Sequence, residues 1–364
     1  MTPNDPALQV LIDRVQSALS AGAQLNIRGG GTKGFYGEAP QGDLLDTRVL
    51  EGISSYEPTE LVVTSRCGTS LAELEALLAE KGQCLPFEPP HFAPGSTVGG
   101  MVAAGLAGPS RASVGSVRDF VLGATLLNGR GEVLSFGGQV IKNVAGYDVS
   151  RLLAGSMGTL GVILEVSLKV LPVAPATATL SFQMPQAQAL AQLNQWGGQP
   201  LPLNASAWWD DTLIVRLRGA LAAVRAALVK MGGDVIEAQS ATPFWDGMRH
   251  HGDEFFTQAR AAVAGGGALW RLSVPPTTAP LALSGEQLIE WQGAQRWLCS
   301  AMPASTVRDA AAKAGGHATL FMAADKASGA FASLKAPLDR IHRELKKSFD
   351  PNGVFNPGRM YPGL

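Results

Sequence analysis

The sequence predicts an α+β protein built from two parts. Glycine-rich turns at residues 29–34 and 94–100 stand directly beside regular structure, and an Asn-Gly turn joins two apolar strands within residues 121–136. Strands and helices alternate regularly after the proline-rich segment Pro172–Pro175. These observations predict a compact α+β unit followed by a sheet that is covered by helices.

The proline-rich segment marks the predicted domain boundary. We expect a first domain over residues 1–173, an inserted α/β domain over residues 176–325, and a C-terminal helix and tail over residues 326–364 that returns to the first domain. A chain of 364 residues, of which 46% are hydrophobic, is long enough to build two ordinary domains.

The first glycine turn, residues 28–34, follows a short predicted strand at Gln24–Ile27. Consecutive glycines bring backbone N–H groups close to an anion because no side chains stand in the way. The spacing matches neither a P-loop nor the Gly-x-Gly-x-x-Gly of a dinucleotide-binding βαβ unit. Taken alone, such a turn is more typical of a flexible loop than of a cofactor site.

Between the two turns, the pattern over Leu44–Phe87 predicts strand, turn, strand, helix and strand. Ser70 and Glu73 have the spacing of a capping box at the start of that helix. The second turn, Pro94–Gly100, opens another helix, where unpaired N–H groups and the positive end of the helix dipole favour phosphate. The two turns together predict a large phosphorylated ligand held at several points.

The rest of the first domain predicts a hairpin, a helix and a long strand. Val121–Leu127 and Glu132–Phe136 form the hairpin across the Asn-Gly turn. A short helix over Val149–Leu153 leads through a third glycine cluster, residues 155–161, into the alternating strand Val162–Leu171. This third cluster is also typical of an ordinary helix-to-strand turn.

The sequence of the inserted domain predicts a sheet with helices, and that of the tail predicts one further helix. The predicted strands are Ala178–Gln183, Ala205–Trp209, Leu213–Leu217, Leu269–Val274 and Thr319–Met322. The predicted helices are Gln186–Trp196, Leu221–Met231 and, in the tail, Leu334–Ser348. A stiff, turn-rich segment over residues 350–359 follows.

Composition excludes several classes of protein. The formal net charge of -1, without a dense stripe of lysine and arginine, argues against a nucleic-acid surface. Charged residues make up only 16% of the chain, so much of its surface is neutral or covered, which favours a permanent partner. Cys67, Cys84 and Cys299 lack the spacing of a disulfide framework or of a zinc or iron–sulfur site, and a reducing compartment fits best.

The sequence also argues against insertion into a membrane. The N-terminus lacks a basic segment before an apolar run, so we expect no signal peptide. No segment reaches the roughly 18 uninterrupted apolar residues that span a bilayer. We therefore expect a cytoplasmic protein that contacts the inner face of the membrane only through a complex.

Five motifs in this order resemble the vanillyl-alcohol-oxidase (PCMH) type of FAD-binding flavoproteins. They are residues 28–34, Pro94–Gly100, Lys142 to Asp148, Gly155–Gly161 and Phe355–Arg359. More narrowly, the chain resembles the E-subunit family of bacterial glycolate oxidases, the smaller of two related flavin subunits that assemble with an iron–sulfur subunit. The resemblance implies a two-part PCMH-type FAD-binding domain with an α/β cap domain inserted before the C-terminal tail.

The resemblance also implies that FAD is bound, and bound without a covalent link, because Thr32 and Lys33 stand where the tethering histidine of covalent members often sits. His91, just before the second turn, is more typical of a loop residue than of a ligand. The positions that the resemblance assigns to FAD are Arg28, Gly29, Gly30, Gly31, Thr32, Lys33, Pro94, Gly95, Ser96, Thr97, Val98, Gly99, Gly100, Gly105, Asp119, Gly155, Ser156, Gly158, Thr159, Gly161 and Val162.

The related catalytic flavin subunits carry a His-x-Gly-Asp-Gly-Asn-x-His metal motif, which this sequence lacks, so we predict no metal site. A 2-hydroxy acid substrate needs a cation for its carboxylate and a base for its hydroxyl proton. Arg249 and Arg271 are candidates for the first role, although a surface position or a salt bridge is the more usual reason for such arginines. His317 is the candidate base.

Three functional hypotheses follow. In the first, the chain is the FAD-binding subunit of a glycolate dehydrogenase complex and works with a larger catalytic flavin subunit and an iron–sulfur subunit. In the second, it is a free-standing FAD-dependent oxidase or dehydrogenase of an alcohol or sugar. In the third, it is a scaffold that has lost flavin, which would leave its phosphate-facing glycines unexplained. The missing metal motif and the low charge favour the first.

Overall fold

The computed structural model describes residues 5–138 and 148–364. Residues 142–147 of the third motif lie outside the described residues. The chain folds as two compact units. The first consists of the residues up to Leu106 together with Ser116–Pro172 and Ser333–Leu364, and the second of Ala107–Gly115 and Val173–Ala332.

Helices and strands are numbered along the whole chain. The α-helices are α1 Pro6–Ala21, α2 Leu71–Glu80, α3 Val98–Ala104, α4 Arg111–Val114, α5 Val117–Phe120, α6 Val149–Leu152, α7 Gln186–Gly197, α8 Leu221–Met231, α9 Ala238–His250, α10 Glu254–Ala264, α11 Ala304–Lys313 and α12 Leu338–Phe349. The strands are β1 Leu25–Arg28, β2 Asp43–Asp46, β3 Ile53–Glu57, β4 Val62–Arg66, β5 Gln83–Cys84, β6 Val121–Leu127, β7 Val133–Gly137, β8 Val162–Lys169, β9 Leu171–Pro172, β10 Ala176–Gln183, β11 Leu203–Trp209, β12 Thr212–Gly219, β13 Asp234–Ile236, β14 Ala268–Ser273, β15 Glu286–Glu290, β16 Gln295–Ser300 and β17 His317–Ala323.

A five-stranded antiparallel sheet organises the first unit, with strand order β3-β4-β8-β6-β7. The predicted hairpin is confirmed, since β6 pairs with β7 and Leu127 lies opposite Val133. The central strand β8 forms as predicted, and its Val162, Leu164 and Val166 are completely buried. Its other face is largely buried as well, since only Glu165 and Lys169 are half-buried there. The short strands β1 and β2 form a separate parallel pair that leads into the first glycine turn.

An eight-stranded antiparallel sheet forms the second unit, in the order β13-β10-β12-β11-β15-β16-β14-β17. The five predicted strands and both predicted helices of this region are confirmed. One core packs α7 and α8 against Leu180, Leu213 and Val215, and a second gathers around Trp270 and Leu298.

Two predictions about helix starts are wrong. Ser70 stands at the N-cap of α2, but its side chain makes no capping hydrogen bond, so the predicted capping box does not form. The tail helix begins at Leu338 rather than Leu334, because proline at 337 disfavours helical backbone at the residue before it.

The sequence prediction also missed β13, β15, β16 and the helices α9, α10 and α11. Strand β16 illustrates the reason, because its second residue is the buried, charged Arg296. The guanidinium of Arg296 is held by the carbonyl oxygens of Gly293, Thr278 and Ala279. A charged residue whose burial depends on hydrogen bonds to backbone carbonyls interrupts the apolar pattern on which strand prediction rests.

Among the described residues, no helix is both long and apolar enough to cross a membrane.

Candidate cofactor site

The two glycine-rich turns meet at a cavity of about 230 Å³ in the first unit. This volume is below the roughly 300–1,000 Å³ of typical small-molecule sites, so the cavity has room for one section of a dinucleotide. Its lining includes these predicted cofactor residues: Arg28, Gly29, Gly30, Gly31, Thr32, Lys33, Ser96, Thr97 and Gly100.

Gly29 and Gly30 are required by the contact between the turns. A Cβ on Gly30 would lie 1.7 Å from the carbonyl oxygen of Gly95, and one on Gly29 would lie 2.2 Å from the hydroxyl oxygen of Thr97. Gly31 adopts a positive φ of 71°, which side chains disfavour. The first two glycines therefore serve close packing of backbone on backbone, while the third serves the bend of the turn.

The first turn presents a row of free backbone donors to this cavity. Within residues 5–138 and 148–364, the backbone N–H groups of residues 29–33 donate to no protein acceptor. Backbone N–H groups that lack a partner in a partly buried loop call for an external acceptor. Successive N–H groups of this kind make an anion-binding concavity.

The second turn contributes differently from what the sequence predicted. The N–H groups of Val98, Gly99 and Gly100 at the start of α3 donate to the Thr69 carbonyl, the Cys67 carbonyl and the Thr97 hydroxyl. The expectation that the start of this helix offers unpaired donors is therefore wrong, because neighbouring groups of the protein already satisfy them.

Lys33 supplies the cavity with a positive charge. Its Nζ donates to the Ser96 hydroxyl at 2.7 Å and lies 5.7 Å from the centre of the Phe92 ring. Among the described residues, no carboxylate pairs with Lys33. Burial lowers the pKa of Lys33 to about 8. A bound anion would relieve this burial of an uncompensated charge.

The C-terminal tail completes the lining through Asn356 and Arg359. The Asn356 side chain accepts from the N–H of Ile27 at 2.7 Å and donates to the carbonyl oxygen of Met157 at 2.7 Å. It thereby joins the strand before the first turn to the third glycine cluster. Both tail residues belong to the motif Phe355–Arg359, which contributes to the family resemblance. The prediction of site residues nevertheless left them out, as it left out Tyr36 and Met157.

A smaller cavity adjoins the first, and Gly99, Gly158 and Gly161 of the predicted set line it together with Cys67. Burial raises the pKa of the Cys67 thiol to about 12. A thiol that stays protonated at physiological pH is a poor nucleophile. The chemistry of this cysteine therefore favours the predicted non-covalent binding of a flavin.

The remaining predicted cofactor residues lie outside the lining of both cavities. They are Pro94, Gly95, Val98, Gly105, Asp119, Gly155, Ser156, Thr159 and Val162. Gly105 packs on the third cluster, since a Cβ there would lie 2.8 Å from the Cα of Gly155. The Asp119 carboxylate accepts from the backbone N–H and hydroxyl of Ser116 in a capping box. His91 contacts Glu75 at 3.0 Å.

The three predicted catalytic residues lie in the second unit. Arg271 on β14 and His317 on β17 are diagonal neighbours on one face of the sheet, since Arg271 pairs with Thr319 and Ser273 with His317. Burial and the nearby Arg271 lower the pKa of His317. Arg249 lies in the last turn of α9.

Sequence analysis missed Glu290, a buried carboxyl group in the same unit. Its Oε2 accepts from Trp297 Nε1 at 2.6 Å and from Gln295 Nε2 at 3.0 Å. Burial raises the pKa of Glu290 to about 7. A single acidic residue in a strand carries no sequence signal of burial, so this group could be found only from the structure.

The residues for a metal site do not assemble in the described part of the chain. No group of three histidine, cysteine or acidic side chains is placed to hold a metal ion there. The His251 ring instead stacks on Phe256, with ring centres 3.9 Å apart, and His317 lies at the start of β17.

The chain is similar in sequence to known flavin-binding proteins. A family model described as an FAD binding domain matches residues 8–137. The chain is 46% identical over 356 residues to the glycolate oxidase subunit GlcE of Escherichia coli (strain K12), a match that covers 98% of each chain. It is 30% identical over 167 residues to the glycolate oxidase subunit GlcD of Bacillus subtilis (strain 168), which covers 45% of this chain and 35% of that protein.

A solved structure of alkyldihydroxyacetonephosphate synthase has the same fold. It superposes with a TM-score of 0.62 at 16% identity, over 96% of this chain and 75% of that one. At this identity the likeness concerns the fold alone.

Proposed function

Because the chain belongs to the family of the glycolate oxidase subunit GlcE, we propose that it is the FAD-binding subunit of a glycolate dehydrogenase complex. The complex oxidises glycolate, a 2-hydroxy acid, to glyoxylate. The two electrons released at the alcohol carbon pass to bound FAD, which is the chemistry that this group supplies. The observation that carries the proposal is the row of unpartnered N–H groups at residues 29–33 beside the uncompensated charge of Lys33.

The residues of the cavity fit the pyrophosphate of FAD. The lining carries the three cations Arg28, Lys33 and Arg359 and includes no acidic side chain. Backbone donors and cations together are what a doubly charged pyrophosphate needs. We assign the first turn to this group, and the predicted positions that lie outside the two cavities remain proposals for the other parts of the cofactor.

We propose that the complex contains a larger catalytic flavin subunit and an iron–sulfur subunit. The chain's formal charge of -1 and its charged fraction of 16% suit a surface that partner subunits cover. The complex is placed in the cytoplasm, where it contacts the inner face of the membrane through its other subunits.

We propose that any oxidation of substrate by this subunit itself uses residues of the second unit. The Arg271 guanidinium lies 5.8 Å from the centre of the Trp291 ring and, among the described residues, makes no hydrogen bond or ion pair. A free guanidinium suits the carboxylate of a 2-hydroxy acid. His317 on the same sheet face, with its lowered pKa, is neutral at physiological pH and suited to accept a proton.

Visible spectra of the purified chain, alone and co-expressed with its partner subunits, test the proposal. We expect a flavin spectrum in both preparations, and reduction by glycolate without oxygen in the assembled complex. Reduction in the single chain as well would show that this subunit turns over substrate, and Arg271→Met should then abolish it while Arg218→Met, a substitution elsewhere in the same sheet, should not. A chain that carries no flavin in either preparation would overturn the proposal.

A further inference from the structure

Arg359 is a buried cation with one side of its guanidinium unused. The residue is only 6% exposed. Its Nη2 donates to the carbonyl oxygen of Gly34 at 3.0 Å, whereas Nη1 is buried and finds no acceptor among the described residues. A guanidinium carries five N–H donors and cannot lose its charge at physiological pH, so leaving one nitrogen dry and unpaired is unfavourable.

The position of Arg359 indicates what would relieve this. It lines the same cavity as Lys33 and the free N–H groups of the first turn. Burial lowers the pKa of the Arg359 guanidinium, and the opposite effect of the Glu38 charge is smaller. An anionic oxygen inside the cavity would supply the missing acceptor and the missing negative charge at once.

The tail that carries Arg359 is fixed to the first turn at several points. The N–H of Glu38 donates to the Arg359 carbonyl at 3.0 Å, and the N–H of Arg359 donates to the Asn356 carbonyl at 3.2 Å. Lys346 anchors the start of the tail, since its Nζ donates to the carbonyl oxygens of Thr159 and Phe355. A ligand that pairs with Arg359 therefore also stabilises the docked tail.

We propose that Arg359 is a ligand of the bound dinucleotide, with Nη1 donating to an oxygen of its pyrophosphate, so that cofactor loading and docking of the C-terminal tail are coupled. This inference rests on the proposed function. The pyrophosphate is preferred over the flavin ring because Lys33 and the residues with free backbone donors line the same cavity as Arg359. By linkage, the cofactor must stabilise the tail by as much as the docked tail strengthens binding.

Binding measurements on the full, flavin-free chain test the assignment. FAD, ADP and riboflavin are titrated calorimetrically into the wild type, Arg359→Met and Arg359→Lys. Loss of a charge-assisted hydrogen bond predicts about 10- to 100-fold weaker binding of FAD and ADP to Arg359→Met, with riboflavin binding unchanged. The affinity of Arg359→Lys for FAD and ADP should fall between those of the wild type and Arg359→Met, because lysine keeps the charge but lacks the paired donors of a guanidinium. Arg343→Met, on the exposed surface of α12, is the matched control.

Hydrogen exchange of residues 350–364 gives a second readout. FAD and ADP should slow exchange of the tail in the wild type and have a much smaller effect in Arg359→Met. The titrations also define the results that would contradict the assignment. Weaker riboflavin binding by Arg359→Met with unchanged ADP binding would overturn the pyrophosphate assignment and place Arg359 at the flavin ring. Unchanged binding of all three ligands would make Arg359 purely structural. A wild type that binds neither FAD nor ADP would instead fail the proposed function. If Arg359→Met does not fold, the titration of FAD and ADP into Arg359→Lys tests the assignment in its place, and unchanged binding there would contradict it.

Discussion

The side-chain carbonyl of Asn356 accepts a hydrogen bond from the backbone N–H of Ile27 at 2.7 Å, across 329 positions of the chain. The Asn356 amide group donates in turn to the carbonyl oxygen of Met157. One buried side chain from the tail thus fixes the strand that leads into the first glycine turn and the third glycine cluster. The C-terminal tail is a structural part of the candidate cofactor site, although it is farthest from the first turn in sequence.

We therefore expect Asn356→Ala to destabilise the protein and weaken FAD binding together. The substitution leaves a buried N–H and a buried carbonyl without their partner, which predicts a loss of about 2–4 kcal/mol in the free energy of unfolding. Urea unfolding and FAD titration measure both effects. Asn352→Ala is the control, since that exposed side chain makes a 3.4 Å bond to Gly129. Equal stability of the two variants would contradict the bridging role of Asn356.

A second prediction concerns the contact between the glycine turns. In Gly30→Ala the new methyl group would have to displace the backbone of Gly95, whose carbonyl oxygen lies 1.7 Å from the Cβ position. We expect the turns to separate and FAD retention on gel filtration to fall at least about tenfold. Gly138→Ala should retain flavin, because a Cβ there would meet no atom of the described residues within 4 Å. Full flavin retention in Gly30→Ala would show that the turns tolerate separation.

The glycine turns also show how much of the candidate site could be predicted from the sequence. The composition of the turns predicted an anion site, and the apolar alternation of β8 predicted its strand, because both signals are local. The reason for Gly29 and Gly30 was not predictable, since it depends on residues 95 and 97 meeting them in space. Strand β16 was not predictable either, because the charged Arg296 interrupts its apolar pattern and its hydrogen bonds to carbonyl groups elsewhere in the chain cannot be seen in the sequence.

The third prediction follows from Glu290 in the second unit. Its pKa is raised by burial from 4.5 to about 7, so the native state holds a proton that the unfolded chain releases above pH 4.5. Stability from this group is therefore present below pH 4.5 and is lost as the pH rises toward 7, by on the order of 3 kcal/mol. Urea unfolding at several pH values between 4.5 and 8 measures this slope.

Glu290→Gln should flatten that slope, because a glutamine oxygen still accepts from Trp297 but does not titrate. Glu286→Gln, an exposed position on the same strand, should leave the slope as in the wild type. A slope that survives in Glu290→Gln would assign the titration to another buried group.

The last prediction concerns the pH dependence of FAD binding. Burial lowers the pKa of Lys33 to about 8 in the ligand-free cavity, so the charge that a pyrophosphate needs is present at pH 7 and mostly absent at pH 9. Binding above pH 8 must take up a proton, which predicts a fall in affinity of about tenfold between pH 7 and pH 9. The cavity's arginines stay charged over this range. Lys33→Met should bind FAD weakly at both pH values, whereas the exposed Lys81→Met should keep the wild-type slope. An equal slope in Lys33→Met would mean that Lys33 does not face the anion.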